Sequence, residues 1–370
     1  MPYKQFDRDK LHIKPLSERM NKVRIAQDYV PVDQKPGNDS AHFHKIVSDT
    51  VERILRAREK DRPRMLTFGA HTIKNGLGPL IIKLMEEGWI THLATNGAGI
   101  IHDWEFAFQG ESSEDVKSNV DRGQFGIWEE TGRFINLALL VGAYEGKGYG
   151  ESVGSMIENE GVQIPAEAEL DKLISTGEGY DLDRAAAAID LLDAVRRFKL
   201  PAGWMNIGFP FKQYCVQAAA FRLGIPFTGH PMIGHDIIYV HPINHGAALG
   251  RTALRDFLSF AQAVNQLEDG VYLSIGSAVM SPMIFEKSLS MSQNLHIQNN
   301  RHIDNHYMLI VDLAKSSWDW QKDGEPPQTD PAYYLRYLKS FSRMGGFMQY
   351  LCADNRDFLL ALYQELSRRR

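Results

Sequence analysis

The chain has 370 residues, 44% hydrophobic and 24% charged, with a formal net charge of −5 at pH 7. That length is too great for a bare binding module, and the composition excludes a fibrous chain or a long disordered tail. The acidic balance speaks against a general nucleic-acid surface, which needs a basic excess to neutralise phosphates.

Residues 1–40 are polar, carry Pro15, Pro31, Pro36 and Gly37, and read as an arm lying on the body or on a neighbouring subunit. Ile46, Val47, Val51, Ile54 and Leu55 recur at helical spacing within 42–60, and Asp61-Arg62-Pro63 ends that helix. RMLTFGA (64–70) reads as a strand, 78–90 as an amphipathic helix, 90–99 as a strand entering a glycine-rich turn, and 100–110 as a helix. Strand, helix, strand, turn, helix is the pattern of a parallel sheet with crossover helices. Downstream, 184–199 and 211–224 read as helices, DIIYVHP (236–242) and 269–282 as strands, 282–294 as a helix and 306–314 as a strand. A polar loop at 315–331 precedes closing helices at 330–344 and 355–370. The expected fold is α/β, a Rossmann-like doubly wound parallel sheet with helices on both faces. Residues 1–60 form the arm and first helix. Residues 61–370 form one nucleotide-binding-type domain, with an insertion around 110–180.

No signal segment and no run of about 18 apolar residues is visible, so no membrane span is expected. Cys215 and Cys352 are too few for a disulfide framework or a Cys-rich zinc site. Reduced thiols in a cytoplasmic chain are the expectation.

In an open parallel sheet, ligands bind beyond the carboxyl ends of the strands. Three such ends finish in small residues: Gly69-Ala70-His71, Thr95-Asn96-Gly97-Ala98-Gly99 and Gly276-Ser277-Ala278. Small residues admit a phosphate to the backbone, and a following helix N-terminus favours negative charge. Together they point to a nucleotide cofactor, although TNGAGI lacks the third glycine of the dinucleotide fingerprint. His102, Asp103 and Glu105 follow the second turn within one helical turn and suit proton transfer or the holding of a ribose or amine. The stretch Gly229 to Asp236, with His230 and His235, reads as a substrate-pocket wall with Asp236 facing a cation. Its histidines lack the spacing of a helical metal site, and no metal is assigned. Gly142 to Gly150 is not a P-loop and reads as a mobile loop. Lys339, in YYLRYLKSF, is either an imine-forming lysine of lowered pKa or a solvated helix lysine. Trp318 either lines an amine pocket or belongs to the core.

These residues, in this order, resemble the deoxyhypusine synthase family from about Leu66 to Asp354. The likeness rests on Phe68-Gly69-Ala70-His71-Thr72, Thr95 to Asp103, Ile225-Pro226, Asp236, Ile275 to Val279, and Ala353-Asp354. It implies NAD bound by Ala70, His71, Thr95 to Gly99, Asp103, Gly276, Ser277, Ala353 and Asp354. It also implies a homotetramer with sites at subunit interfaces, and aminobutyl transfer from a spermidine-like amine to an acceptor protein or amine. Lys339 stands nearest the family's imine-forming lysine, without the Trp-Gly-Lys around it. Lys339, His102 and Asp236 are then catalytic, and Glu105, His235 and Trp318 hold substrate. Asn96 to Gly110 also resembles the archaeal-type, NAD-dependent ornithine cyclodeaminases, which share a His-Asp-x-Glu after the turn. A catalytically silent NAD- or polyamine-binding homologue is the third reading. Both enzyme families remove hydride from the carbon bearing an amine.

Overall fold

The structure, a computed structural model, describes residues 3–176 and 182–369. The far end of the 110–180 segment and Arg370 lie outside them. Two short antiparallel pairs sit outside the main sheet. One is β1 (Asn21–Arg24) with β4 (Glu111–Glu114), and the other is β5 (Gly161–Ile164) with β6 (Gly203–Asn206).

The main sheet holds β2 (Arg64–Phe68), β3 (His92–Asn96), β7 (Phe227–His230), β8 (Val271–Ile275), β9 (Tyr307–Asp312) and β10 (Phe347–Cys352). Their spatial order is β10-β9-β8-β2-β3-β7, and every pair is parallel. Counted by first appearance, that is the 3-2-1-4-5-6 order of a doubly wound sheet, with its switch point between β2 and β8. The expected α/β Rossmann-like fold is therefore what the chain adopts.

Alternation along the strands feeds two cores. Leu66, Phe68, Leu93, Leu273, Leu309 and Val311 point to one face, which the helices Ala41–Glu59, Gly78–Glu86 and Asn355–Arg368 help to cover. Met65, Ala94, Tyr272, Met308 and Ile310 point to the other, under Gly246–Asn265, Met280–Ile297 and Arg336–Ser342. Burial on both faces is why these strands read as continuous apolar runs. No helix among the described residues is long and apolar enough to cross a membrane.

Two expectations fail locally. DIIYVHP is not a strand: Ile237–Val240 is a short 3-10 turn, and the strand is the preceding Phe227–His230. Residues 142–150 are not a mobile loop. Gly142 lies inside the Glu129–Glu145 helix, and Gly148 and Gly150 are buried where the Tyr149–Asn159 helix begins. The buried Asp256 carboxylate accepts from Gly150 N at 2.8 Å and Gly229 N at 2.6 Å, so it ties that turn to β7.

Candidate active site

The carboxyl ends of the strands carry two cavities, one on either side of the short helix Ala70–Lys74. At the switch point the turns after β2 and β8 touch. Gly69 N donates to Ile275 O at 3.0 Å, and a Cβ on Gly69 would stand 2.1 Å from Gly276 O. Gly276 has φ +57°, in the left-handed region that glycine tolerates. A cavity of about 230 Å³ opens there, lined by His71, Asn75, Gly276, Asp312, Ala353 and Asp354. Asp312 ends β9, the strand after the Gly276 turn, where doubly wound nucleotide-binding sheets place an acid for ribose hydroxyls.

The second cavity, about 190 Å³, lies beyond β3 and β7 and is lined by Arg19, Lys74, His102, Glu105, His235 and Asp236, among others. Asn96 caps the Gly97–Gln109 helix by accepting from Gly99 N at 2.9 Å, and the helix sets His102 and Glu105 one turn apart. Gly110, at φ +74°, ends that helix and turns the chain back. β4 then lays Ser112 against both side chains.

A hydrogen-bonded line results. Arg19 Nη1 donates to Glu105 Oε1 at 2.6 Å, Thr131 Oγ1 donates to the same oxygen at 3.2 Å, and Ser112 Oγ donates to Glu105 Oε2 at 2.5 Å. His102 Nδ1 lies 2.7 Å from Ser112 Oγ. Burial would raise the Glu105 carboxyl, but the adjoining Arg19, together with His102 and Ser112, more than offsets it and holds the group below its usual range. Glu105 is therefore an anion and accepts only. The single hydroxyl proton of Ser112 goes to Glu105, so Ser112 must accept from His102 Nδ1–H. The lone pair is left on His102 Nε2. Burial pulls the imidazole down to about 4, with Glu105 opposing, so His102 is neutral near pH 7.

Asp236 lines the same cavity, raised to about 6 by burial, with Tyr239 Oη 3.4 Å from its Oδ2. It packs on Gly97, where a Cβ would come within 2.2 Å of Oδ2. His102, Glu105, His235, Asp236 and Ala98 thus gather at one cavity, while His71, Gly276, Ala353 and Asp354 gather at the other.

Several expected site residues are committed elsewhere. Asp103 is fully buried and accepts from Val216 N at 3.0 Å and Gln217 N at 2.9 Å, so it caps the Val216–Leu223 helix and touches neither cavity. Thr95 donates to Phe68 O at 2.8 Å. Ser277 Oγ accepts from Ser281 N at 3.2 Å, inside the next helix start. Asp354 does line the 230 Å³ cavity, but its carboxylate is already paired with Arg356 at 3.0 Å. Trp318 packs against the second core and donates to Gly324 O at 2.9 Å. Lys339 lies 3.5 Å from Glu325 and 3.6 Å from the Tyr333 ring, at neither cavity. His230 shares Thr228 with the buried His92, and His241 pairs with Glu129 at 3.1 Å. Among the described residues, no group of three or more His, Cys, Asp or Glu side chains is placed to hold a metal.

The sequence pattern does not single out Ser112, Lys74 or Arg19. Ser112 hides in the polar run ESSE, and Arg19 in the arm. Lys74 was discoverable, since it follows the first strand-to-helix turn by one helical turn.

No family model and no curated protein matches the chain. Solved structures do match. A conserved putative LOR/SDH protein from Methanococcus maripaludis S2 shares 14% identity at TM-score 0.42, over 92% of this chain and 74% of that one. AgrE in ternary complex with ornithine and NAD+ shares 14% at TM-score 0.43, over 90% and 34%. ArgZ, an arginine dihydrolase of the ornithine–ammonia cycle in cyanobacteria, shares 14% at TM-score 0.43, over 89% and 32%. The chain spans about a third of the length of AgrE and of ArgZ. Similarity this remote carries no argument about chemistry. None of these proteins is a deoxyhypusine synthase, and the resemblance to that family is corrected accordingly. The aminobutyl-transferase activity goes with it, because Lys339 is held by Glu325 and Tyr333, away from both cavities.

Proposed function

We propose that the chain is an NAD-dependent enzyme of the ornithine cyclodeaminase type, acting at a carbon that bears an amine. The observation that carries this reading is the line Arg19–Glu105–Ser112–His102, which ends on an unpaired imidazole nitrogen in a cavity that Asp236 also lines. The small-residue turns at Gly69 and Gly276 and the acid Asp312 suit a dinucleotide, with His71 and Asn75 on the same wall. A dinucleotide held there would supply the hydride acceptor and donor.

The chain's own residues do the rest. Asp236, ionised, holds the substrate's ammonium. His102 Nε2 removes a proton from that nitrogen as the carbon is oxidised, and the imidazolium that forms is stabilised through Ser112 by Glu105. L-ornithine carries a second amine that can close a ring with loss of ammonia, and return of the hydride by a bound NAD would then leave proline, with no net oxidation of the substrate.

The test is ammonia and proline release from L-ornithine in the presence of NAD. His102→Gln is expected to lower kcat by a factor on the order of 10²–10⁴. No ammonia from the unaltered chain, or no heat of binding with millimolar NAD, overturns the proposal.

A further inference from the structure

The helices Gly246–Asn265 and Met280–Ile297 lie side by side over the second core. Phe260 and Val264 of the first, with Phe285 and Leu289 of the second, point inward and account for one face of each. On an amphipathic surface helix the opposite face is polar. Here it is not. Leu254 and Leu258, one turn apart on the first helix, and Met283, Met291 and Leu295 on the second are each between 43% and 57% exposed. Positions four apart share a helix face, so two apolar ridges run along one surface. Apolar side chains scattered singly over a surface are ordinary, whereas a contiguous patch marks an interface.

The size and edge of this surface suit a second copy of the chain. Helices of 20 and 18 residues side by side present a face roughly 27 Å long and about 20 Å wide. With side-chain relief, that is on the order of the 800 Å² that each partner gives to a standard interface. Charges at the edge are already matched within the chain: Arg251 pairs with Asp183 and Asp190, Arg255 with Asp183, and Lys287 with Glu286. Two identical edges can therefore meet without the repulsion that unmatched like charges impose. Gly250 precedes Leu254 by one turn on the same ridge, with open space where a side chain would stand. A two-fold axis at Leu254 sets Leu258 of one copy over Gly250 of the other, a knob against a gap, and the same contact recurs on the far side of the axis.

We propose that the chain forms a two-fold dimer in which this helix pair packs on its counterpart. The Gly246–Asn265 helices run antiparallel across Leu254, and Met291 and Leu295 close the sides. Methionine suits that margin, because its unbranched chain fills irregular gaps. The dimer does not depend on the reading of either cavity.

Sedimentation velocity on the full chain over a dilution series is expected to show the dimer. Leu258→Glu is expected to raise the dissociation constant about a hundredfold, since the two-fold repeats a roughly tenfold loss on each side. Gly250→Leu separates docking from folding. Leucine favours a helix over glycine and has room in the single chain, so the diluted, monomeric variant is expected to melt no lower than the unaltered chain. Its dimer is nevertheless expected to weaken at least about tenfold, because the gap is filled. Trp204→Glu, at an exposed apolar side chain on β6, is expected to leave association unchanged. A tetramer that falls by half in Leu258→Glu and Gly250→Leu supports the interface equally. A monomer at every concentration, an assembly unchanged by either of those two variants, or an equal loss from Trp204→Glu overturns it.

Discussion

His102 and Asp236 are tuned in opposite directions by the same cause. Burial disfavours charge, so it lowers the imidazole to about 4 and raises the carboxyl to about 6. The base is then already neutral at every pH where the acid is ionised, and the acid sets the lower limit of activity. The acidic limb of kcat/KM is expected near pH 6, from Asp236, with no further inflection until about pH 4. A pH–rate profile with its limb near the ordinary histidine value and insensitive to Asp236→Asn contradicts this assignment. Stability follows the same sign. Burial pushes the folded carboxyl up to about 6 from an ordinary 3.8. The fold therefore loses stability as pH rises through that window, and the full penalty is present above it. Asp236→Asn is expected to raise the Tm at pH 8 and to change it much less at pH 3.5, as calorimetric melts will show. The gain in stability comes with the loss of the ammonium's partner, a common trade at functional sites.

At the scale of elements, the turns after β2 and β8 constrain each other tightly. Gly69→Ala places a methyl 2.1 Å from the Gly276 carbonyl oxygen, and the obstacle is backbone that cannot rotate aside. The two strands must shear, so a loss on the order of 2–4 kcal/mol is expected in denaturant titration, along with weakened NAD binding. An unchanged midpoint and unchanged affinity would refute the close contact. The same scale shows what the sequence discloses. Helices with a strong apolar stripe, such as Ala41–Glu59, are legible because burial on one face imposes the 3.6-residue period. Most strands of the sheet are legible as apolar runs. The strand Phe227–His230 is not, since FTGH is four residues with one large apolar side chain, buried only because helices close over it. DIIYVHP misleads for the opposite reason: its residues suit a strand, yet Ile238 is buried by a 3-10 turn. In the site, His102, Glu105 and Asp236 stand out beside a glycine turn. Ser112 and Arg19 do not, because their roles arise from contacts with residues 7 to 86 positions away.

At the scale of the whole molecule, the arm is clasped around a sheet that has its own two cores. Arg8 donates to Tyr239 O at 2.7 Å, Leu16 N to Glu130 at 2.6 Å, Ile25 N to Gly110 O at 2.9 Å and Val30 N to Gly76 O at 3.0 Å. These are long-range ties with few buried apolar residues among them, namely Leu16, Ile25 and Val30. Segments held in this way open more readily than a central sheet. Native-state hydrogen exchange is expected to find the amides of Ile25 and Val30 opening well below the free energy of those in β2 and β8. Uniform protection across arm and sheet would show that the two unfold as one unit.

Arg19 gives that arrangement a further consequence. The segment behaves as a tethered ligand of the body, and its docking is linked to occupancy of the site. By reciprocity, whatever affinity a substrate gains from a Glu105 that Arg19 holds in place, the docked arm gains from the substrate. Substrate binding and arm closure are then two descriptions of one coupling free energy, and the protein is most completely assembled when it is saturated.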